Sequence, residues 1–211
     1  NLSYANVSKQ GDLIDSKVIR FNFGPKNSSS HREQMINQGL KQLVDEASKK
    51  KKDIVVEQLD FTYKKSLQTK GFDKDYNRML HTLAYRKIKE NLRRLCMDKG
   101  VNYREVNPAY TSLLGKLLYT KRYGISTHQA AAYVIARRFL QHEERFCSKN
   151  LVFIYKDRVC HLELPDGIFK EQDKIRPFQF WSKLYRWTEG KFKAPSTFYK
   201  PPLNSKVAQP A

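Results

Sequence analysis

The sequence contains few acidic residues and no long apolar segment. Only 21 Asp and Glu stand against 40 Lys and Arg in 211 residues, which gives a formal net charge of +19. No apolar run approaches the roughly 20 residues that a membrane-spanning helix needs, so we expect no membrane partner. Because so large a positive charge exceeds what solubility requires, we expect an anionic macromolecule as partner, and nucleic acid is the commonest one.

Cysteine is also scarce. Cys96, Cys147 and Cys160 are scattered along the chain and show no C-x-x-C spacing. Neither a disulfide framework nor a zinc site is therefore expected, and a reducing cytoplasm is the simplest location. The chain has no initiator methionine and begins at Asn1 inside a predicted strand, so we expect a fragment of a longer protein. It shows no signal peptide.

The spacing of apolar residues predicts an α/β fold. Strands are predicted at residues 2–7, 13–21, 53–57, 101–106, 151–155 and 159–164, and helices at 30–49, 75–99 and 127–140 and from Pro177 onward. Ser30 and Glu33 form a predicted capping box for the first helix. The apolar run Ile54 to Val56 lacks alternation, which is typical of a strand covered on both faces. The first predicted helix, between the strands at 13–21 and 53–57, is therefore expected to be the crossover unit of an α/β sheet. We expect the first two strands to pair antiparallel and the strands at 54–57 and 101–106 to run parallel.

Positive charge is concentrated around the second predicted helix. Residues 62–104 contain 12 Lys and Arg but only 4 Asp and Glu. Such clustering favours contact with phosphates over an ordinary solvated helix face, which remains the alternative. The candidate nucleic-acid-binding residues are Arg86, Lys87, Lys89, Arg93 and Arg94.

Two later helices carry further candidates. Ser126 and Gln129 form a second capping box. In the helix that follows, His128 shares a predicted face with Ala131, Ala132 and Ile135, so we expect it to point where the apolar residues point. The helix from Pro177 mixes aromatic residues with Lys183, Arg186 and Lys191, a combination that could stack on bases or simply pack in a core.

Three segments together resemble one protein family. Residues 54–61 (IVVEQLDF) are similar to the second catalytic motif of transposon-encoded TnpB proteins and of type V CRISPR effectors. Residues 106–112 (VNPAYTS) look like the next landmark of that family, and residues 124–132 (GISTHQAAA) occupy the place of its third catalytic motif. The order and spacing agree over about residues 1–140.

The resemblance implies an α/β, RNase H-like (RuvC-type) mixed sheet flanked by helices. This domain would cover residues 1–141, and residues 142–211 would form a basic, aromatic C-terminal extension with a disordered end. Relatives are DNA endonucleases encoded beside a transposase and guided by RNA. The implied partners are therefore DNA and, as a further candidate, a guide RNA. Glu57 and His128 are the implied catalytic residues and ligands of Mg²⁺ or Mn²⁺, since two-metal phosphodiester hydrolysis needs such ligands at rigid positions.

Three departures from the family pattern keep alternatives open. The first catalytic acid would lie upstream of Asn1, residues 112–124 contain no zinc ribbon, and His128 stands where the family has Asp. Imidazole suits Mn²⁺ better than Mg²⁺ or could act as a general base, but the site could also have lost its metal. The functions left open are a metal-dependent endonuclease domain, inactive as this fragment, a nuclease-dead nucleic-acid-binding regulator, and a basic structural or ribosome-associated protein.

Overall fold

A computed structural model describes residues 1–21, 28–58, 72–189 and 191, and for residues 72–84 it describes the backbone alone. The predicted α/β class is confirmed, and the predicted strands are present with ends that differ by at most two residues. The strands are β1 (Leu2–Val7), β2 (Leu13–Ile19), β3 (Ile54–Glu57), β4 (Tyr103–Val106), β5 (Asn150–Tyr155) and β6 (Arg158–Glu163). The helices are α1 (Ser29–Lys49), α2 (Phe72–Asp98), α3 (Thr111–Tyr123), α4 (Thr127–Phe139), α5 (Asp166–Glu171) and α6 (Pro177–Thr188).

The chain divides into two compact units. Unit 1 comprises Asn1–Ser3 and Lys17–Pro108, and unit 2 comprises Tyr4–Ser16 and Ala109–Ala211. The division near residue 108 differs from the predicted boundary at residue 141. The reason is that residues on both sides of 141 share one core, in which Leu114 and Tyr133 pack with Phe153 and Trp181.

Unit 1 is built on a parallel strand pair. β3 and β4 run parallel, with Ile54 opposite Tyr103 and Glu57 opposite Val106, and α2 lies between them in the chain. The predicted crossover was α1, but the strands on either side of it, β2 and β3, belong to different pairs. Their core is filled from α1 and α2 by the buried residues Leu40, Val44, Ala47, Leu92 and Cys96. Within β3 only Ile54 is fully buried, so the expected complete cover on both faces is not found.

The start of α1 differs from its prediction. Ser28, not Ser30, caps the helix, because its hydroxyl accepts a hydrogen bond from the His31 amide at 3.2 Å. Ser29 and Ser30 are already helical. Three consecutive serines offer the same capping chemistry, so the local sequence does not decide which one serves.

Unit 2 packs two helices against a hairpin and α6. α3 and α4 are joined by a short turn at Gly124, and Ser126 and Gln129 form the predicted capping box of α4. β5 and β6 pair antiparallel, as their predicted hairpin requires. The core contains residues of α3, α4, both strands and α6, including Leu114, Val134, Phe153 and Leu184, each fully buried.

The strands do not join into one mixed sheet in the part of the chain that the structure describes. They form three separate pairs, β1–β2, β3–β4 and β5–β6. Ala5, Val7 and Leu13 of the first hairpin pack into the core of unit 2, so these residues do not extend the β3–β4 pair. The predicted disordered end and residues 59–61 of the second motif lie outside the described residues.

Candidate nucleic-acid interface

The C-terminal half of α2 presents a basic face to solvent. Ile88, Leu92, Leu95 and Cys96 turn toward α1 and the strands, so helical periodicity leaves four cations on the opposite side. We call Arg86, Lys87, Arg93 and Arg94, all exposed, the basic face of α2. The structure therefore places four of the five predicted nucleic-acid-binding residues on one accessible surface.

The cations of this basic face have few acidic partners. Arg86 lies 3.4 Å from Glu90 and Lys87 lies 3.8 Å from Glu33, and all four side chains are at least half exposed. Such pairs contribute about 0–1 kcal/mol and are easily exchanged for another anion. Arg93 and Arg94 form no ion pair with any residue that the structure describes, although the charge of Arg93 helps to lower the pKa of Glu105. The face thus retains an excess of positive charge.

Lys89 does not belong to this face. Its ammonium lies 2.6 Å from Glu105 on β4, and its side chain is only 18% exposed. The hydroxyl of Tyr103 donates to the same carboxylate at 2.9 Å. Partial burial acts to raise the pKa of Glu105, but the hydrogen bonds from Lys89 and Tyr103 outweigh it and hold that pKa below its usual value. Lys89 therefore links α2 to β4, and its prediction as a phosphate contact is not supported by its position.

Glu57 ends β3 in unit 1. It lies opposite Val106 in the parallel register, and the next residue, Gln58, donates its amide to the Val106 carbonyl at 2.7 Å. Its side chain is half-buried. Burial, followed by the negative charges of Glu57 and Glu105, raises the pKa of Tyr85 to about 12. The carboxyl end of the strand pair therefore holds a carboxylate beside a phenol that stays protonated.

His128 lies in the first turn of α4 in unit 2. It lies on the same helical face as Ala131 and Ile135, but it is exposed whereas those two residues are buried. Position 128 precedes the stretch of α4 that packs on α3. Glu57 and His128 belong to different units, and their sharing of a metal ion stays a prediction.

The residues that the structure describes do not by themselves form a metal site. No group of three or more His, Cys, Asp or Glu side chains among them is placed to hold an ion. By the alternation of a strand, Glu57 and Glu105 project from opposite faces of the β3–β4 pair, since Glu105 is in register with Val56. A metal ion held by Glu57 or His128, the ligands predicted from the sequence, would need further ligands.

A second cluster of aromatic and basic residues lies on α6 in unit 2. Phe178 and Tyr185 are 43% and 47% exposed, while Trp181 between them is buried. Two of the cations predicted to accompany the aromatics are engaged within the unit: Lys183 lies 2.8 Å from Glu171, and the ammonium of Lys191 lies 4.5 Å from the Trp187 ring centre. Arg186 is exposed.

Sequence reasoning missed the tyrosines around Glu105 and the conformation of Tyr110. Tyr103 and Glu105 are two residues apart in β4 and therefore lie on the same face of the strand. The period of two in a strand could have predicted that they are neighbours. Tyr110 has a left-handed backbone with φ of 66°, which is uncommon for a bulky residue and gives no local sequence signal.

Within the described residues, no helix combines the length and apolar character that crossing a membrane requires. Comparison with family models, with curated proteins and with solved structures found no match to this chain.

Proposed function

We propose that this chain binds nucleic acid through the basic face of α2. The observation that carries the proposal is the exposure of Arg93 and Arg94, neither of which forms an ion pair with a described residue, in a chain of net charge +19. Exposed cations in such excess attract the phosphate backbone, whose contacts release bound counterions. The proposal therefore concerns contacts to phosphate and not the reading of base sequence.

The spacing of the cations supports a run of phosphate contacts. Arg86 and Arg93, and likewise Lys87 and Arg94, are separated by seven residues, or about two helical turns and 10 Å. They form two adjacent rows of charge along the exposed side of the helix. The exposed pairs with Glu33 and Glu90 are weak enough for phosphate to displace the carboxylates.

A second candidate function is a metal-dependent DNA endonuclease domain of the TnpB type, with an RNase H-like sheet. It is favoured by Glu57, a half-buried carboxylate at the carboxyl end of a parallel strand pair, where open α/β sheets place their sites. The order of the three motifs supports the same proposal, with DNA and a guide RNA as partners. Since the described residues do not complete a site for Mg²⁺ or Mn²⁺, this candidate rests on the position of Glu57 and on the motifs. A nuclease-dead regulator that only binds is the alternative within this candidate.

The binding proposal is tested by the salt dependence of affinity. We expect the affinity for duplex DNA to fall steeply as salt rises. Replacing both Arg93 and Arg94 with Ala should reduce the slope of log K against log salt by about 1.8, because each phosphate that is neutralised adds about 0.9 to that slope. The measurement is a titration of labelled duplex DNA by fluorescence anisotropy at several salt concentrations.

The matched control replaces both arginines with Lys, which keeps the charge and should keep most of the slope. Binding that does not respond to salt, or an unchanged slope in the double Ala variant, would show that the basic face of α2 is only a solvated surface.

A further inference from the structure

Two exposed aromatic residues lie on one side of α6, and together with Tyr110 we call them the aromatic stripe. Phe178 and Tyr185 are seven residues apart, so they lie on the same side of the helix about 10 Å from one another. Both are exposed although they carry large aromatic side chains. Tyr110 extends the stripe from the turn before α3, with its ring centre 5.9 Å from that of Tyr185.

The stripe is held in place by the core beneath it. Phe178 packs edge-on against buried Trp181 at 5.0 Å between ring centres. The guanidinium of Arg138 on α4 lies 5.2 Å from the Phe178 ring centre and 5.1 Å from that of Trp181. Rings fixed in this way lose little conformational entropy when a ligand stacks on them.

The backbone of Tyr110 is a second observation at this surface. Its left-handed backbone, with φ of 66°, costs free energy for a residue with a large side chain. That backbone places its half-buried ring against Tyr185. Strained residues of this kind concentrate at binding and catalytic sites, where the surrounding structure maintains them.

Positive charge accompanies the stripe. Arg186 follows Tyr185 directly, is exposed, and forms no ion pair with a residue in the described part of the chain. Arg176, at the N-terminus of α6 two residues before Phe178, is likewise exposed and without such a pair. Of the described acids on α6 and its caps, Glu189 alone lies near the far end of the stripe. The balance of charge therefore suits an anionic ligand.

We propose that Phe178, Tyr185 and Tyr110 form a base-stacking surface for single-stranded DNA, with Arg176 and Arg186 contacting its phosphates. Exposed rings flanked by cations are the combination by which proteins hold unpaired strands, because each base offers a flat face and each nucleotide a negative charge. Duplex DNA keeps its bases stacked on one another and cannot use the rings. We choose DNA because stacking and charge need no ribose hydroxyl. The inference rests on the proposed nucleic-acid binding and adds to it a preference for unpaired strands.

The test compares three versions of position 185 in the full chain. We expect Tyr185→Leu to weaken binding of a labelled single-stranded oligodeoxynucleotide of about 16 nucleotides by about five- to 150-fold, the range for loss of one stacked base. Tyr185→Phe keeps the ring and should keep the affinity. Duplex affinity should be unchanged in both variants. Phe178→Leu provides a second position, and a thermal melt checks that each variant is folded.

The possible results separate this inference from the proposed function. Absence of binding to either single-stranded or duplex DNA by the wild-type chain would end both proposals. Duplex binding that depends on Arg93 and Arg94, together with single-strand binding unaffected by Tyr185→Leu and Phe178→Leu, would overturn the stacking surface alone. A marked preference for RNA of the same sequence would overturn the assignment to DNA. Loss of self-association in Tyr185→Leu, without an effect on single-strand binding, would instead identify an interface between copies.

Discussion

At the scale of single residues, the position of Glu57 is the feature that most directly bears on the endonuclease candidate. The residue closes β3, and its backbone is fixed by the register with β4. Its charge is close enough to Tyr85 to help raise the pKa of that phenol to about 12, after the larger effect of burial. The half-buried carboxylate of Glu57, at the end of a paired strand, is a candidate metal ligand with restricted freedom of movement. The side chain of His128 is exposed.

For the endonuclease candidate, we expect that in a chain that cleaves DNA, Glu57→Gln abolishes the cleavage while leaving DNA binding intact. The amide keeps the size of the side chain but removes the negative charge that a catalytic cation would need. The measurement is cleavage of supercoiled DNA in Mg²⁺ and in Mn²⁺. Asp53→Asn, at the amino end of the same strand, is the matched control and should cleave normally. An undiminished rate for Glu57→Gln would end the catalytic assignment.

At the scale of elements, the crossing of α3 and α4 sets the geometry of unit 2. At Gly115 the two backbones approach so closely that an added Cβ would lie 2.6 Å from the carbonyl carbon of Ala130. Tyr119 on α3 and Tyr133 on α4 pack edge to face at 4.7 Å between ring centres.

We expect Gly115→Ala to destabilise unit 2 by about 1–3 kcal/mol, the usual cost of forcing a methyl group into a packed contact. The contact is with backbone atoms, which cannot rotate away as a flexible side chain would. Gly167→Ala in α5 is the matched control, since nothing lies within 4 Å of its added Cβ. That control should leave stability within about 1 kcal/mol of wild type or raise it. Denaturant unfolding followed by circular dichroism measures both, and equal effects would show that the crossing can relax.

At the scale of the whole molecule, the described residues form two separate hydrophobic cores. Leu40 and Cys96 belong to the core of unit 1, and Leu114 and Cys160 belong to that of unit 2. Burial raises the pKa of the Cys96 thiol to about 11 and also raises that of Cys160. Both thiols should therefore react slowly with alkylating reagents in the native protein, whereas exposed Cys147 should react first.

The alkylation rates of the two buried thiols measure the opening of each unit separately, Cys96 for unit 1 and Cys160 for unit 2. We expect Leu40→Ala to speed the labelling of Cys96 and not of Cys160, and Leu114→Ala to do the reverse. Each truncation costs about 2–5 kcal/mol in a buried site, and labelling through opening speeds up about tenfold for each 1.4 kcal/mol of lost stability. Mass spectrometry of peptides after timed alkylation measures both rates in one sample. If either variant increases the alkylation rates of both thiols equally, the two units open together.

Local patterns in the sequence were sufficient for most of the secondary structure. Alternating and helical spacing of apolar residues predicted the strands, α1, α2, α4 and the start of α6, because each pattern follows from burying one face of a regular element. The parallel pair that carries Glu57 was also predicted, but the crossover helix was expected to be α1 and not α2. The excess of positive charge and its concentration on α2 are also properties of the sequence alone.

Only the tertiary structure decided which of these residues are accessible and which meet. It assigned Lys89 to Glu105 and left Arg93 and Arg94 exposed, although all three are cations on the same helix. It placed the tip of the first hairpin in the core of unit 2, which separates the strands into pairs, and it brought Tyr110 against Tyr185 across 75 positions of sequence. The physical reason is that ion pairs, strand partners and ring contacts form between residues distant in the chain. Their free energies depend on burial and geometry that no local pattern encodes.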